Sequence, residues 1–119
     1  MKKSSLFSAC AASLLLTSVA LACDYPKSPD VPNGSTASKD EMVDGQKAVK
    51  AYIKQLEDYQ QCLVDEEENA RAGMDLEPDQ IKQREEMLTK KYNAAHEDMV
   101  KVAAAFNEEL KEWQSRDAE

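Results

Sequence analysis

Residues 38–63 read SKDEMVDGQKAVKAYIKQLEDYQQCL, and the spacing within them decides the fold. Met42, Val49, Leu56 and Leu63 fall seven apart, Tyr52 and Tyr59 take the intervening seam positions, and Ile53 broadens the stripe. An apolar face sustained over three heptads predicts a long amphipathic helix of coiled-coil type. Ser38 and Glu41, three residues apart, make a capping box that starts this helix at residue 39. Lys47, Lys50, Lys54, Asp58 and Asp65 fall on the other faces, where solvated charges belong, and Lys54 and Asp58 are spaced as an ion pair. Gly45 breaks the stripe, at a cost of up to about 1 kcal/mol relative to alanine. Its expected use is close approach of another backbone. The helix should end near Ala72, with Gly73 as a left-handed terminator.

A second helix begins at Pro78, a residue suited to the first helical turn. Leu76 and Ile81 are placed as a hydrophobic staple around the cap, with Gln80 at the third helical position. The stripe that follows is Ile81, Leu88, Tyr92, Ala95, Met99, Val102, Phe106, Leu110 and Trp113, again close to a 3.5-residue repeat. This helix should reach Ser115. Two such helices joined by a short loop predict an all-α fold, an antiparallel two-helix hairpin with arms roughly 50 to 57 Å long. Pairing across the turn sets Gly45 near Ala103, Ala104 and Ala105.

Upstream, Lys2 and Lys3, the uncharged and mainly apolar run from Leu6 to Leu21, and Ala20-Leu21-Ala22 have the order of a secretory signal peptide over residues 1–22. The apolar run is short for a membrane span. Cleavage after Ala22 removes Cys10 and leaves Cys23 and Cys62, an even pair in an oxidising compartment, which predicts a disulfide. A cysteine directly after a signal is also a lipidation candidate, and only then is a membrane partner expected. Ala20, where a lipobox prefers leucine, fits that alternative poorly. Loss of Lys2 and Lys3 takes the 15 basic residues to 13 against 23 acidic ones, a net charge of −10. Such a chain repels phosphate backbones, so no nucleic-acid partner is expected.

Residues 23–38 form the link between signal and hairpin. Pro26, Pro29 and Pro32 recur every three residues, the turn length of polyproline II, and Asn33-Gly34 supplies a turn. One reading of this run is a ligand for an aromatic groove on another protein. The other is a stiff arm lying on its own hairpin, which the nearby Cys23 favours. From Cys23 to Ser38 such an arm reaches about 46 Å. The helical path from Lys39 to Cys62 is about 35 Å, so the arm can fold back and close the disulfide. Closing that loop should stabilise the fold by roughly 4 kcal/mol on the chain-entropy model.

The pattern Cys23-x-Tyr25-Pro26-x-x-Pro29-x-x-Pro32-x-Gly34, followed by Glu41-Met42-x-x-x-Gln46-x-x-Val49-x-x-Tyr52, resembles a family of small exported proteobacterial proteins without assigned activity. The resemblance implies a periplasmic protein of a Gram-negative bacterium and carries no function with it. Leu76-Glu77-Pro78-Asp79-Gln80 is similar to the L-T-x-x-Q motif of periplasmic helical stress chaperones and metal sensors, with Glu77 in place of the threonine and a single copy. The staple and cap account for the same residues.

Little here predicts chemistry. His96 is the only histidine, and with Met99 one turn later it makes at most a weak soft-metal pair, lacking a third ligand. The acidic run Asp65–Glu68 splays around a helix, unlike the converging ligands of a calcium loop. The cysteines lack C-x-x-C spacing. No catalytic residues, cofactor or structural metal are therefore expected. The expected role is that of a structural or interaction protein, with Tyr52, Tyr59, Phe106 and Trp113 as the contact surface for a protein partner or a second copy. A metal-binding or chaperone-like helical protein is the alternative.

Overall fold

The computed structural model describes residues 22–117. The leader expected over residues 1–22 lies outside these apart from Ala22, and Cys10 lies outside them too. Two helices, α1 (Lys39–Ala72) and α2 (Pro78–Asp117), pack against each other as an antiparallel hairpin. Among the described residues there is no strand.

The helix ends follow from local chemistry. Ser38 Oγ accepts the Glu41 N–H at 3.2 Å, and the Ser38 N–H donates back to Glu41 Oε2 at 2.7 Å. Those two bonds hold the Glu41 carboxyl below its usual range. At α2 the Glu77 N–H donates to Gln80 Oε1 at 3.0 Å, so Gln80 serves the cap, and Leu76 and Ile81 are both half-buried beside it. Gly73 departs from expectation: it adopts φ −102° and ψ 0°, not the left-handed region. A left-handed terminator is normally drawn in by an apolar contact from the following residue. Met74 is 53% exposed and makes the chain leave in a tight turn instead, with its N–H on Arg71 O at 3.2 Å.

The heptad positions of α1 are the core. Met42, Val49, Tyr52, Leu56 and Leu63 are all buried, and Leu56 is fully so. On α2 the buried positions are Ala95, Val102 and Phe106, with Met99, Leu110 and Trp113 packed around them. Tyr92, expected on the stripe, is exposed. At its level the seam holds Gln60, whose Nε2 donates to Tyr92 O at 3.0 Å. The seam position facing Tyr92 is thus taken by a polar side chain instead of an apolar one, and the tyrosine is left exposed.

Residues 23–37 supply a third element along the hairpin. Asn33 opens a turn: its carbonyl accepts the Ala37 N–H at 2.8 Å, and its side chain accepts the Ser35 N–H at 2.9 Å. The arm then runs from Pro32, packed at Gly45, back to Cys23, bonded to Cys62. Nine steps at a polyproline II rise of about 3.1 Å cover about 28 Å, and seventeen helical residues cover about 26 Å, so the extended arm matches the helix it follows.

Gly45 is explained by this arm rather than by the alanines of α2. A Cβ at Gly45 would sit 2.5 Å from Pro32 Cγ and 2.6 Å from its Cδ, while Phe106 is at ordinary contact distance. The backbone approach expected from Ala103–Ala105 is thus made by a proline ring. Gly34 is tighter still: its N–H donates to Glu109 Oε2 at 2.7 Å, and an added Cβ would overlap the Glu109 carbonyl oxygen. Gly45→Ala should therefore destabilise the chain by about 1–3 kcal/mol through overpacking. In a Pro32→Ala background the same change should cost less or become stabilising, because only the helix-propensity gain is left. Urea unfolding of the four chains measures the coupling, and additive effects would contradict the contact.

Candidate functional site

The seat of the arm is built around one covalent bond. Cys23 and Cys62 form a disulfide across 39 residues, with Cα atoms 5.8 Å apart. Cys62 sits beside the buried Leu63, on the shoulder of the seam, so the sulfur faces sideways to where a third element can lie. The Glu66 carboxylate is 3.3 Å from the Cys23 sulfur.

Next to the bond, three tyrosines meet. Tyr25 and Tyr59 pack edge to face with ring centroids 4.9 Å apart. The Tyr25 hydroxyl donates to Asp98 Oδ2 at 2.6 Å, tying arm to α2 as the cystine ties it to α1. Tyr25 is 44% exposed, and its bond to Asp98 lies at the surface of the hairpin. Withdrawal from water, then the hydrogen bond to Asp98 and that carboxylate's charge, push its phenol above the ordinary value. Tyr52, buried below, faces the hydroxyls of Ser28 and Tyr25, and burial followed by the charge of Asp98 raises it too.

At the root of the arm, Ala37 O accepts from Trp113 Nε1 at 3.1 Å and from Arg116 Nη2 at 2.7 Å. The far end of α2 therefore closes over the entry to α1.

Beyond Cys62 the arm is absent and the interhelical groove is open, bordered by Leu63, Ala70, Met87 and Leu88 between Glu66 and Lys91. Here charge takes over from apolar packing. Glu67 accepts from Arg71 Nε at 2.8 Å and from Arg84 Nε and Nη2 at 3.0 and 2.9 Å, and Arg71 reaches Glu85 at 3.3 Å. The Glu67 side chain is 14% exposed, so these charge-assisted bonds are shielded better than surface pairs. By contrast Lys54 and Asp58 do pair, with both side chains in solvent.

The expected contact surface is redistributed by the fold. Tyr52 and Phe106 are buried in the chain's own core, Tyr59 is engaged by Tyr25, and Trp113 is bonded to the arm. Apolar residues at helical spacing cannot by themselves reveal a third element that covers them, and the arm is that element. Among the described residues the exposed large apolar side chains are Met74 and Met87 toward the turn end, with Tyr25, Tyr92, Val43 and Val100 elsewhere. His96 is exposed, whereas Met99 packs against the core, so the two are not presented as a ligand pair. Among the described residues no group of three or more histidine, cysteine or acidic side chains is arranged to hold a metal ion, and no helix is long and apolar enough to cross a membrane. Sequence reasoning missed Gln60 and the Glu67 cluster. Gln60 lies four residues after Leu56 and three before Leu63, which was a usable signal.

No protein-family model, curated protein or solved structure matches this chain.

Two expectations follow. Replacing both cysteines by alanine should lower stability by about 4 kcal/mol on the chain-entropy model, read from urea titration, with helical circular dichroism kept in the folded baseline. Glu67 is held below its usual 4.5, first by hydrogen bonds from Arg84 and Arg71. Its folded value being depressed, its contribution is complete above about 4.5 and is lost as pH falls through the lower folded value. Amide protection at residues 67–85, taken relative to the intrinsic exchange rate at each pH, should therefore fall below that pH in the parent chain, and Glu67→Gln should show the lower protection already at pH 7.

Proposed function

We propose that this chain is a non-catalytic interaction protein of an oxidising, extracytoplasmic compartment, the periplasm of a Gram-negative bacterium, and that it engages its partner through the turn end of the hairpin. The observation that carries this reading is the contrast between the two halves. Below Cys62 the arm lies along the hairpin: Tyr25 packs on Tyr59, Trp113 bonds to Ala37 O, and Tyr52 and Phe106 are buried in the core, which leaves only a smaller depression between Met42, Val43, Leu110 and Trp113. The half beyond Cys62 keeps an open interhelical groove with exposed Met87 beside it and Met74 at the loop. Methionines suit an adaptable contact, because the unbranched thioether side chain fills irregular gaps.

The compartment is supported by the leader pattern and by a cystine that the fold uses, since disulfides persist outside reducing cytosol. The acidic excess favours a basic or apolar protein partner over nucleic acid. Glu66 on one helix and Lys91 on the other border this groove outside the Glu67–Arg84 pair and would set the orientation of that partner.

A photo-reactive amino acid placed at position 87 tests this in intact cells. A discrete adduct is expected from position 87 and from position 74, and none from Lys47 on the half below Cys62. Equal labelling from all three positions, or adducts from position 47 alone, would remove the turn end as the contact surface.

A further inference from the structure

The arm is held in two different ways along its length. From Val31 to Ala37 it is locked by contacts that need no cystine: Pro32 against Gly45, Val31 packed on the core, the Gly34 N–H on Glu109, and Trp113 and Arg116 on Ala37 O. From Cys23 to Asp30 the prolines are half-buried, while Asp24, Lys27, Ser28 and Asp30 face solvent. Among the described residues no backbone hydrogen bond joins residues 23–31 to either helix. Pro26 and Pro29 have no N–H to offer, and an extended segment has no internal bonds to lose. The outer arm therefore rests on the Cys23–Cys62 bond and on the ring and hydroxyl of Tyr25.

Beneath it lies a surface made for such a segment. Tyr59 and Pro26 border one shallow depression, and Tyr52 lies under Ser28, next to the Gly45 notch that holds Pro32 of the inner arm. Tyrosine-lined grooves with small notches take up proline-rich extended segments because the ligand has little conformational entropy left to lose. In this chain the occupant is the chain's own arm, which identifies the chemistry that the groove accepts.

We infer that the groove under residues 23–31 is a recognition surface for a proline-rich extended segment of another protein, kept occupied by the arm until Cys23–Cys62 is opened by a dithiol reductant. Both cysteines are half-buried, and Cys62 borders the same open depression as Pro26 and Tyr59, so one sulfur can be reached. A thiolate of the reductant attacks one cystine sulfur, forms a mixed disulfide and expels the other cysteine as a thiolate. The reductant's second thiol then resolves the mixed disulfide. Two electrons pass to the chain, Cys23 and Cys62 end as protonated thiols, and the reductant leaves as its own disulfide. The Glu66 carboxylate beside the Cys23 sulfur repels thiolates approaching from that side, which shields the bond from small anionic thiols.

Once opened, the outer arm still competes as a tethered ligand, at an effective concentration in the millimolar range. Weakening its remaining hold should therefore strengthen capture of a second segment. The probe is a synthetic peptide of residues 24–30 carrying a fluorophore, and its anisotropy is followed with full-length chains. Saturable binding is expected for Cys23→Ser, at least tenfold tighter for Cys23→Ser combined with Tyr25→Ala, and absent for the oxidised parent. Adding Tyr52→Ala to the double variant should weaken it at least tenfold. Absence of saturable binding to both unlatched chains, or equal binding to the oxidised parent, would overturn the inference. Amide exchange on the unlatched chains gives the second readout: deprotection confined to the outer arm and the face beneath it is expected, and loss throughout 39–72 would show a staple of the whole fold instead of a gate.

Discussion

Two packed helices cover only one side of each other's apolar stripe, and that constraint shapes the rest of this chain. The stripe on α1 is broad, running from Met42 through Tyr52 and Ile53 to Leu63, and α2 reaches only part of it. The remaining shoulder needs a cover that is thin, stiff and without donors to satisfy. A proline-rich arm meets all three demands, since an extended chain occupies little width and each proline removes an N–H that burial would leave unpaired. The cystine fixes the register of that cover, and Gly45 and Gly34 provide the two places where it comes closest to the helices.

The two halves of the hairpin consequently hold together by different physics. Below Cys62 the helices are held mainly by apolar burial, sharpened by backbone-level contacts at Gly34 and Ala37. Toward the turn, apolar side chains thin out and a shielded carboxylate gathers two guanidinium groups around it. Burial is insensitive to pH and depends on the arm staying in place. The Glu67 cluster responds to protonation and is indifferent to the cystine. The same two helices thus carry a covalently fastened end and an end held by charge.

Much of this was legible because it is local. The capping box at Ser38, the proline at the start of α2 and the heptads of α1 fix element ends and faces within a few residues, and the helix bounds follow them closely. The cystine was legible from the even cysteine count and the reach of the arm. What escaped needed knowledge of a third partner. Gly45 announced a close approach but could not say that a proline ring makes it, and the seam aromatics looked like a free surface until the arm was laid over them. Gly73 misled because a glycine after a helix suggests a left-handed end, whereas the exposed Met74 offers no contact to draw the chain there. Tyr92 was placed by period alone. The polar Gln60 opposite it reversed that placement.

The position of the tyrosines gives the arm a second meaning beyond cover. A segment needed only to exclude water would be served by any aliphatic residue over Tyr59, yet position 25 carries a tyrosine whose hydroxyl reaches across to Asp98 on the other helix. Such a bond depends on direction, unlike burial, and it tells one extended segment from another. Burial of Tyr52 beneath Ser28 adds a second polar reading point along the same track. Polar contacts along an extended, proline-spaced segment are what the proposed recognition groove requires, and under that proposal the cystine at one end decides when the groove is filled from within.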